Sequence, residues 1–253
     1  MDEQKYSKNF LTDVIFELRF PPILELMDGD SSHLGNFQRT MQEGGFSYNN
    51  VNKVGEIQLP QNLNSFSPID PKTLTSWIFF NKPAHENPSK TVELLNNTLI
   101  IIFKEYKSFN DFLTTLKLVF KALKKYPVMK TEYIGLRYIN QIILDGKPDD
   151  WENIINNDLI CNHLNLNNTP KRFMHSIEID EGDYDIQFQY GQFNKNYPNP
   201  ISEREYVLDY TCRCFESKNF NEIIDTTDQM HRIISNLFEK SIGEGLRGEM
   251  SEH

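Results

Sequence analysis

Twice along the chain an arginine stands inside a short apolar run that alternates with the period of a β-strand. The first run is Val14-Ile15-Phe16-Glu17-Leu18-Arg19-Phe20, where Val14, Phe16, Leu18 and Phe20 fall on one side. Pro21-Pro22 closes it, because neither residue can donate to a β-ladder. The second lies within Glu132 to Leu144, where Leu136-Arg137-Tyr138 stands opposite Leu18-Arg19-Phe20. A charge placed so deep in an apolar strand limits the folds open to the chain. It demands a sheet with one buried face and one face that tolerates polar groups.

Each run opens the same succession of elements. After the first, Leu34, Phe37 and Met41 predict a helix over Ser32–Glu43, stopped by Gly44-Gly45. Strands are predicted at about 53–59, 76–80, 92–95 and 99–104, with Asn96-Asn97 as a hairpin turn. A helix follows whose cap is written in Ser108 and Asp111 and whose apolar face is Phe112, Leu116, Val119, Phe120 and Leu123. Pro127 ends it. After the second run come a helical segment over Asp149–Leu159 and a strand pair, Phe173–Ile179 and Tyr184–Tyr190, around Asp180-Glu181-Gly182-Asp183. Then come a strand over Tyr206–Phe215 and a long helix from Asn219 to Leu246, with Ile223, Met230, Ile234, Leu237 and Phe238 inward. Phe109-Asn110-Asp111 matches Phe220-Asn221-Glu222 at the heads of the two long helices.

The fold class expected from this is α+β: internally duplicated β-α-βββ(β)-α units forming curved antiparallel sheets backed by long helices, joined as a saddle or packed as two lobes. The expected repeats are residues 1–127 and 128–253. The 18 Phe and 11 Tyr supply the bulk for such cores.

Four stretches resemble the blocks of a sporadically distributed prokaryotic family of about this length. They are Phe10 through Ile23, with Val-Ile-Phe-Glu-Leu-Arg-Phe-Pro-Pro-Ile; Ile134-Gly135-Leu136-Arg137-Tyr138-Ile139-Asn140; Val207-Leu208-Asp209-Tyr210; and Met230-His231-Arg232-Ile233-Ile234 through Phe238-Glu239-Lys240-Ser241-Ile242. The resemblance spans most of the chain. It implies a whole, unfused protein and brings no catalytic residues with it. Sporadic distribution associates it with mobile-element or defence loci.

Composition narrows the function classes. The 36 Asp+Glu outnumber the 26 Lys+Arg, a formal net charge of −10, which opposes non-specific binding to phosphate backbones. Cys161, Cys212 and Cys214 are an odd number with no disulfide framework, and the first residues lack a secretory signal pattern, so a reducing cytoplasm is expected. No apolar run is long enough to span a bilayer. The chain carries neither G-x-x-x-x-G-K-[ST] nor G-x-S-x-G nor H-E-x-x-H. Cys212-x-Cys214 points both sulfurs to one face of a strand, as buried core thiols do. Cys161 with His163 forms no recognisable nucleophilic frame. Gly243-Glu244-Gly245 is expected as the fraying end of the last helix. No cofactor and no metal are expected.

Arg19 and Arg137 are the candidate binding residues, with Asp209 and His231 beside them in the resembling blocks. Three readings of each arginine stay open: a lone charge on the outer face, a pair with an acid such as Glu17 or Asp209, or an anion or partner site. The reading ranked first is a non-enzymatic binding or regulatory protein that engages a protein partner. Second is a nucleic acid or nucleotide on the sheet face, held by Arg19, Arg137 and the cluster Lys121, Lys124 and Lys125. Third is an enzyme whose site assembles only in three dimensions. Oligomeric state is left open.

Overall fold

The computed structural model describes residues 6–27, 31–56, 72–126, 130–147, 150–160 and 171–251. Cys161, His163, Pro127, Pro148, Asp149 and the segment from Pro60 to Pro71 lie outside the described residues. Among the described residues the chain is α+β, with a mostly antiparallel sheet of nine strands and four α-helices. The strands are β1 (Leu11–Arg19), β2 (Tyr48–Glu56), β3 (Lys72–Phe80), β4 (Lys90–Leu94), β5 (Thr98–Phe103), β6 (Tyr133–Leu144), β7 (Phe173–Glu181), β8 (Tyr184–Gln192) and β9 (Arg204–Cys214). The helices are α1 (Gly35–Glu43), α2 (Phe109–Leu123), α3 (Ile223–Ser241) and α4 (Glu244–Ser251). The hydrogen-bonded order is β2-β3-β4-β5-β1-β6-β9-β8-β7.

The chain divides into two compact units. One comprises Met1–Ile15, Gly135–Phe215 and Glu222–His253; the other comprises Phe16–Ile134 and Glu216–Asn221. In the latter, β2 to β5 form an antiparallel meander, and β5 neighbours β1. Phe16 from β1 meets Phe112 and Phe120 of α2 edge-on at 6.2 and 6.3 Å, and Phe103 of β5 meets Phe112 at 5.4 Å. These pairings follow from parity: even positions of β1 and odd positions of β5 are buried, and the apolar stripe of α2 lies over them. The cap is as written, since the Ser108 hydroxyl accepts from the Asp111 amide at 3.2 Å. The Asp111 carboxylate itself pairs with Lys90 Nζ at 2.7 Å.

In the other unit, β7, β8 and β9 form a second meander, and β9 neighbours β6. Even positions of β6 and β9 are buried, and α3 lies against β9. Ile223, Met230 and Ile234 are buried, whereas Leu237 and Phe238 are only half-buried, so the inward stripe of the helix is narrower than its apolar letters suggest.

Three expectations are corrected by the backbone. Asn219 does not cap α3, which starts at Ile223 behind Glu222 with no side-chain cap; the Asn219 backbone bridges Lys130 instead. The described part of 149–159 is no α-helix. It turns at Trp151–Ile154, with Asn153 at φ 60, and ends in a 3-10 turn at Asn157–Leu159. The Gly243-Glu244-Gly245 segment does not fray: the Gly243 amide donates to the Ile154 carbonyl and the Gly245 amide to that of Asn153, both at 2.8 Å. Tertiary partners took the hydrogen bonds that local helix would have used. A side chain at position 243 would stand 2.1 Å from the Asn153 carbonyl oxygen, so glycine is required for the approach.

Cys212 and Cys214 are buried inside this unit and form no disulfide. Burial pushes the Cys212 thiol up from 9.0 to about 12, and neighbouring Cys214 adds to the shift.

Two outcomes are expected. Gly243→Ala forces a methyl into a backbone carbonyl and should cost about 3 kcal/mol, whereas Gly248→Ala, in the open interior of α4, should gain about 0.5–1 kcal/mol. Denaturant titration of both variants checks the opposite signs. A thiol held neutral in the fold but free to ionise when unfolded stabilises fully below pH 9 and loses that contribution as pH rises from about 9 to about 12. The melting temperature should therefore fall across that window, and Cys212→Ala should flatten the part of the slope that begins at pH 9.

Candidate functional site

Odd positions of β6 and β9 point away from the helix-covered face, and Arg137 and Asp209 sit there. Arg137 on β6 and Asp209 on β9 meet as a two-pronged pair: Nε donates to Oδ1 at 2.9 Å and Nη2 to Oδ2 at 2.6 Å. The carboxylate side chain is only 9% exposed and the guanidinium 42%. The hydrogen bond to Asp209 raises the Arg137 pKa above its ordinary value against the opposing effect of burial, with smaller help from the charge of Asp13. Of the readings open for Arg137, the structure places it in the ion pair. Along the same face Gln141 donates to the buried Glu205 carboxylate.

Arg19 belongs to the other unit. It is exposed, pairs with Glu17 of its own strand at 2.6 Å, and lies 4.8 Å from the centre of the Tyr133 ring. Position i to i+2 on a strand shares a face, which explains the pair. His231 is on the inward side of α3, buried, with Nδ1 at 2.8 Å from the Tyr138 hydroxyl and the rings 5.7 Å apart. Tyr138 is an even position of β6 and so lies on the face opposite Arg137. The structure thus brings Arg137 and Asp209 together and sets His231 behind them in the core.

One arrangement escaped the sequence reading. The turn after β8 is held by Asn194, which is buried. Its Nδ2 donates to the Lys171 and Asn199 carbonyls at 3.0 and 2.8 Å, and its Oδ1 accepts from the Asn196 amide at 2.9 Å. This fixed loop holds Phe193 at 44% and Tyr197 at 56% exposure, and Met174 of β7, opposite Gly191 two residues before Phe193, is 44% exposed. The Arg172 guanidinium lies 4.7 Å from the Tyr197 ring centre. Pro198 and Pro200 marked the segment as a loop, but the methionine comes from β7 and the arginine from just before it, so spacing carried no signal of the cluster. A recess beside it, lined by Phe193, Asn194 and Glu205 among others, holds about 10 Å³, roughly one water.

Among the described residues no three His, Cys, Asp or Glu side chains gather as a metal site, and no helix is long and apolar enough to cross a membrane. No family model matches the chain, and no curated protein or solved structure matches it either.

The Arg137–Asp209 pair should couple measurably. Because the guanidinium is well over a third exposed, solvent screening holds the coupling free energy from a double-mutant cycle, Arg137→Met with Asp209→Asn, to about 1–2 kcal/mol. A coupling near zero in chemical denaturation would place the pair among solvated surface contacts.

Proposed function

We propose that this chain is a binding protein that engages a protein partner and does not turn over a substrate. The observation that supports it is the cluster of Arg172, Met174, Phe193 and Tyr197 on and beside a loop fixed by Asn194. Aromatic residues, methionine and arginine are the types enriched where proteins meet, and a rigid loop loses little entropy on binding. The side chains with acid–base or anion-binding chemistry are turned toward each other, Arg137 to Asp209 and His231 to Tyr138. An arginine whose charge is already met by a carboxylate is a weaker phosphate ligand, which ranks a nucleic acid below a protein. In this reading Arg137 contributes its exposed edge to the partner surface, and Asp209 and His231 hold the scaffold. Arg19 offers a second, separate contact. The partner is encoded with this chain in a mobile-element or defence locus, and both act in the cytoplasm.

The scaffold itself is read as an internal duplication, with repeats at about 1–127 and 128–253. The strand orders support it: β3-β4-β5-β1 with α2 matches β7-β8-β9-β6 with α3, each repeat closing its first strand against its last.

A photoreactive phenylalanine analogue at position 197, introduced in the native host, tests the reading. We expect one nuclease-resistant protein adduct, absent when the same analogue stands at exposed Lys240, and lost in Phe193→Ala with the melting temperature unchanged. A nucleic-acid adduct, or equal adducts at both positions, would overturn it.

A further inference from the structure

The end of the sheet at β7 carries an observation that the loop cluster does not explain. Among the described residues β7 pairs with β8 alone, so its outer backbone edge lacks a neighbour. It is long for an edge, nine residues, and pairs with β8 without a bulge from Phe173↔Gln192 to Glu181↔Tyr184. Exposed edges are ordinarily blunted by short length, proline, bulges or charged side chains, lysine above all. β7 has no proline, bulge or lysine, and its only charged blunting is the carboxylates of Glu178, Asp180 and Glu181.

Its two faces differ in chemistry. On one, Ser176, Glu178 and Asp180 are exposed. Asp180 sits directly opposite Asp185 of β8, a like-charge cross-strand pair, and Asp185 in turn sits opposite Arg213 of β9. Arg213 also reaches Glu178 at 3.4 Å. Arg213 thus pairs with Glu178, and no cation pairs with Asp180 among the described residues. Like charges placed opposite each other destabilise a sheet, and a cation on a further strand would relieve them. On the other face an aromatic row crosses the unit. Tyr210 and Phe188 stack at 4.6 Å, Phe188 and Tyr190 at 4.9 Å, and Tyr190 and His175 at 5.2 Å. The row stops at β7, where Ile177 is left 40% exposed.

We infer that the β7 edge accepts an extended segment of the protein partner by strand addition, and that this segment alternates Lys or Arg with apolar residues. The main-chain groups of β7 supply the hydrogen bonds. The basic side chains meet Glu178 and Asp180, and the apolar ones cover Ile177 and prolong the aromatic row. A second copy of β7 is a poor occupant, because antiparallel pairing of the edge with itself sets its acidic face against another acidic face. The inference rests on the protein-partner reading and names the partner's chemistry.

The test uses the full chain and synthetic peptides matched to β7 in length: Lys alternating with Val or Ile, the same composition with the lysines and the apolar residues in separate blocks, and the alternating peptide with Glu for Lys. Fluorescence anisotropy should show the alternating Lys peptide binding at least about tenfold more tightly than either control and weakening as salt rises. Glu178→Lys with Asp180→Lys should reverse the preference toward the Glu peptide, since both positions are exposed and their replacement spares the core. Hydrogen exchange should slow in the β7 amides on binding and not in β2, the opposite end of the strand order. Equal binding of the blocked peptide, or binding without protection in β7, overturns strand addition. If the adduct at position 197 forms but the peptides fail, the partner docks through the loop alone and only this inference falls. If the peptides bind but no adduct forms at 197, β7 is the docking site and the loop reading falls.

Discussion

Parity along the strands is the constraint on which everything else depends. In β6 and β9 the even positions are buried and the odd positions face away from the helix. A shift of one residue in either strand would expose Leu136, Leu208 and Tyr210 and drive Arg137 into the core. The desolvation cost of a buried guanidinium makes that register inaccessible. The same parity sets Arg137 beside Asp209, leaves Tyr138 on the far side to meet His231, and puts Cys212 and Cys214 together in the interior. A single alternation thus sorts the polar residues into those that face solvent and those that must find a partner inside.

The interior groups show two ways of meeting that demand. His231 and Tyr138 satisfy each other across a helix–sheet contact. Tyr210 does not find such a partner. Its hydroxyl is buried without a hydrogen bond, and burial raises its pKa, opposed by nearby Ser241, whose hydroxyl donates to the Leu237 carbonyl at 2.7 Å. An orphaned hydroxyl at the end of a stacked aromatic row means that packing area outweighs one missing bond there. That row reaches to the sheet edge, which ties the core of this unit to the surface at β7.

The Asn194 loop displays aromatic groups without the entropy cost of ordering them, and the β7 edge displays backbone. Both lie at the same end of the β7–β8 ladder only in part: Phe173 and Met174 stand next to the loop, and Glu178 and Asp180 toward the opposite hairpin. A partner spanning the ladder would meet an apolar anchor first and an acidic track after it.

By itself the sequence determined β1, β6, β8 and β9 and their faces, because alternation over these strands and the Ser108 cap of α2 are local statements about neighbouring residues, whereas β2 begins at Tyr48 and β3 at Lys72, both earlier than expected. For Arg137 and Arg19 it left a lone charge, a pair with an acid such as Asp209 or Glu17 and a binding site all open, and only the folded strands set Arg137 against Asp209 and Arg19 against Glu17. It failed where distant backbone competes with local preference. The helix expected after Asp149 was lost to Gly243 and Gly245, whose amides claim the carbonyls of Ile154 and Asn153, and the cap expected at Asn219 was lost to a bridge with Lys130. The cluster around Tyr197 was illegible for the same reason, because Arg172, Met174 and Phe193 become neighbours only through the β7–β8 register. Local periodicity encodes which face a residue occupies; only the closed ladder decides who stands beside it.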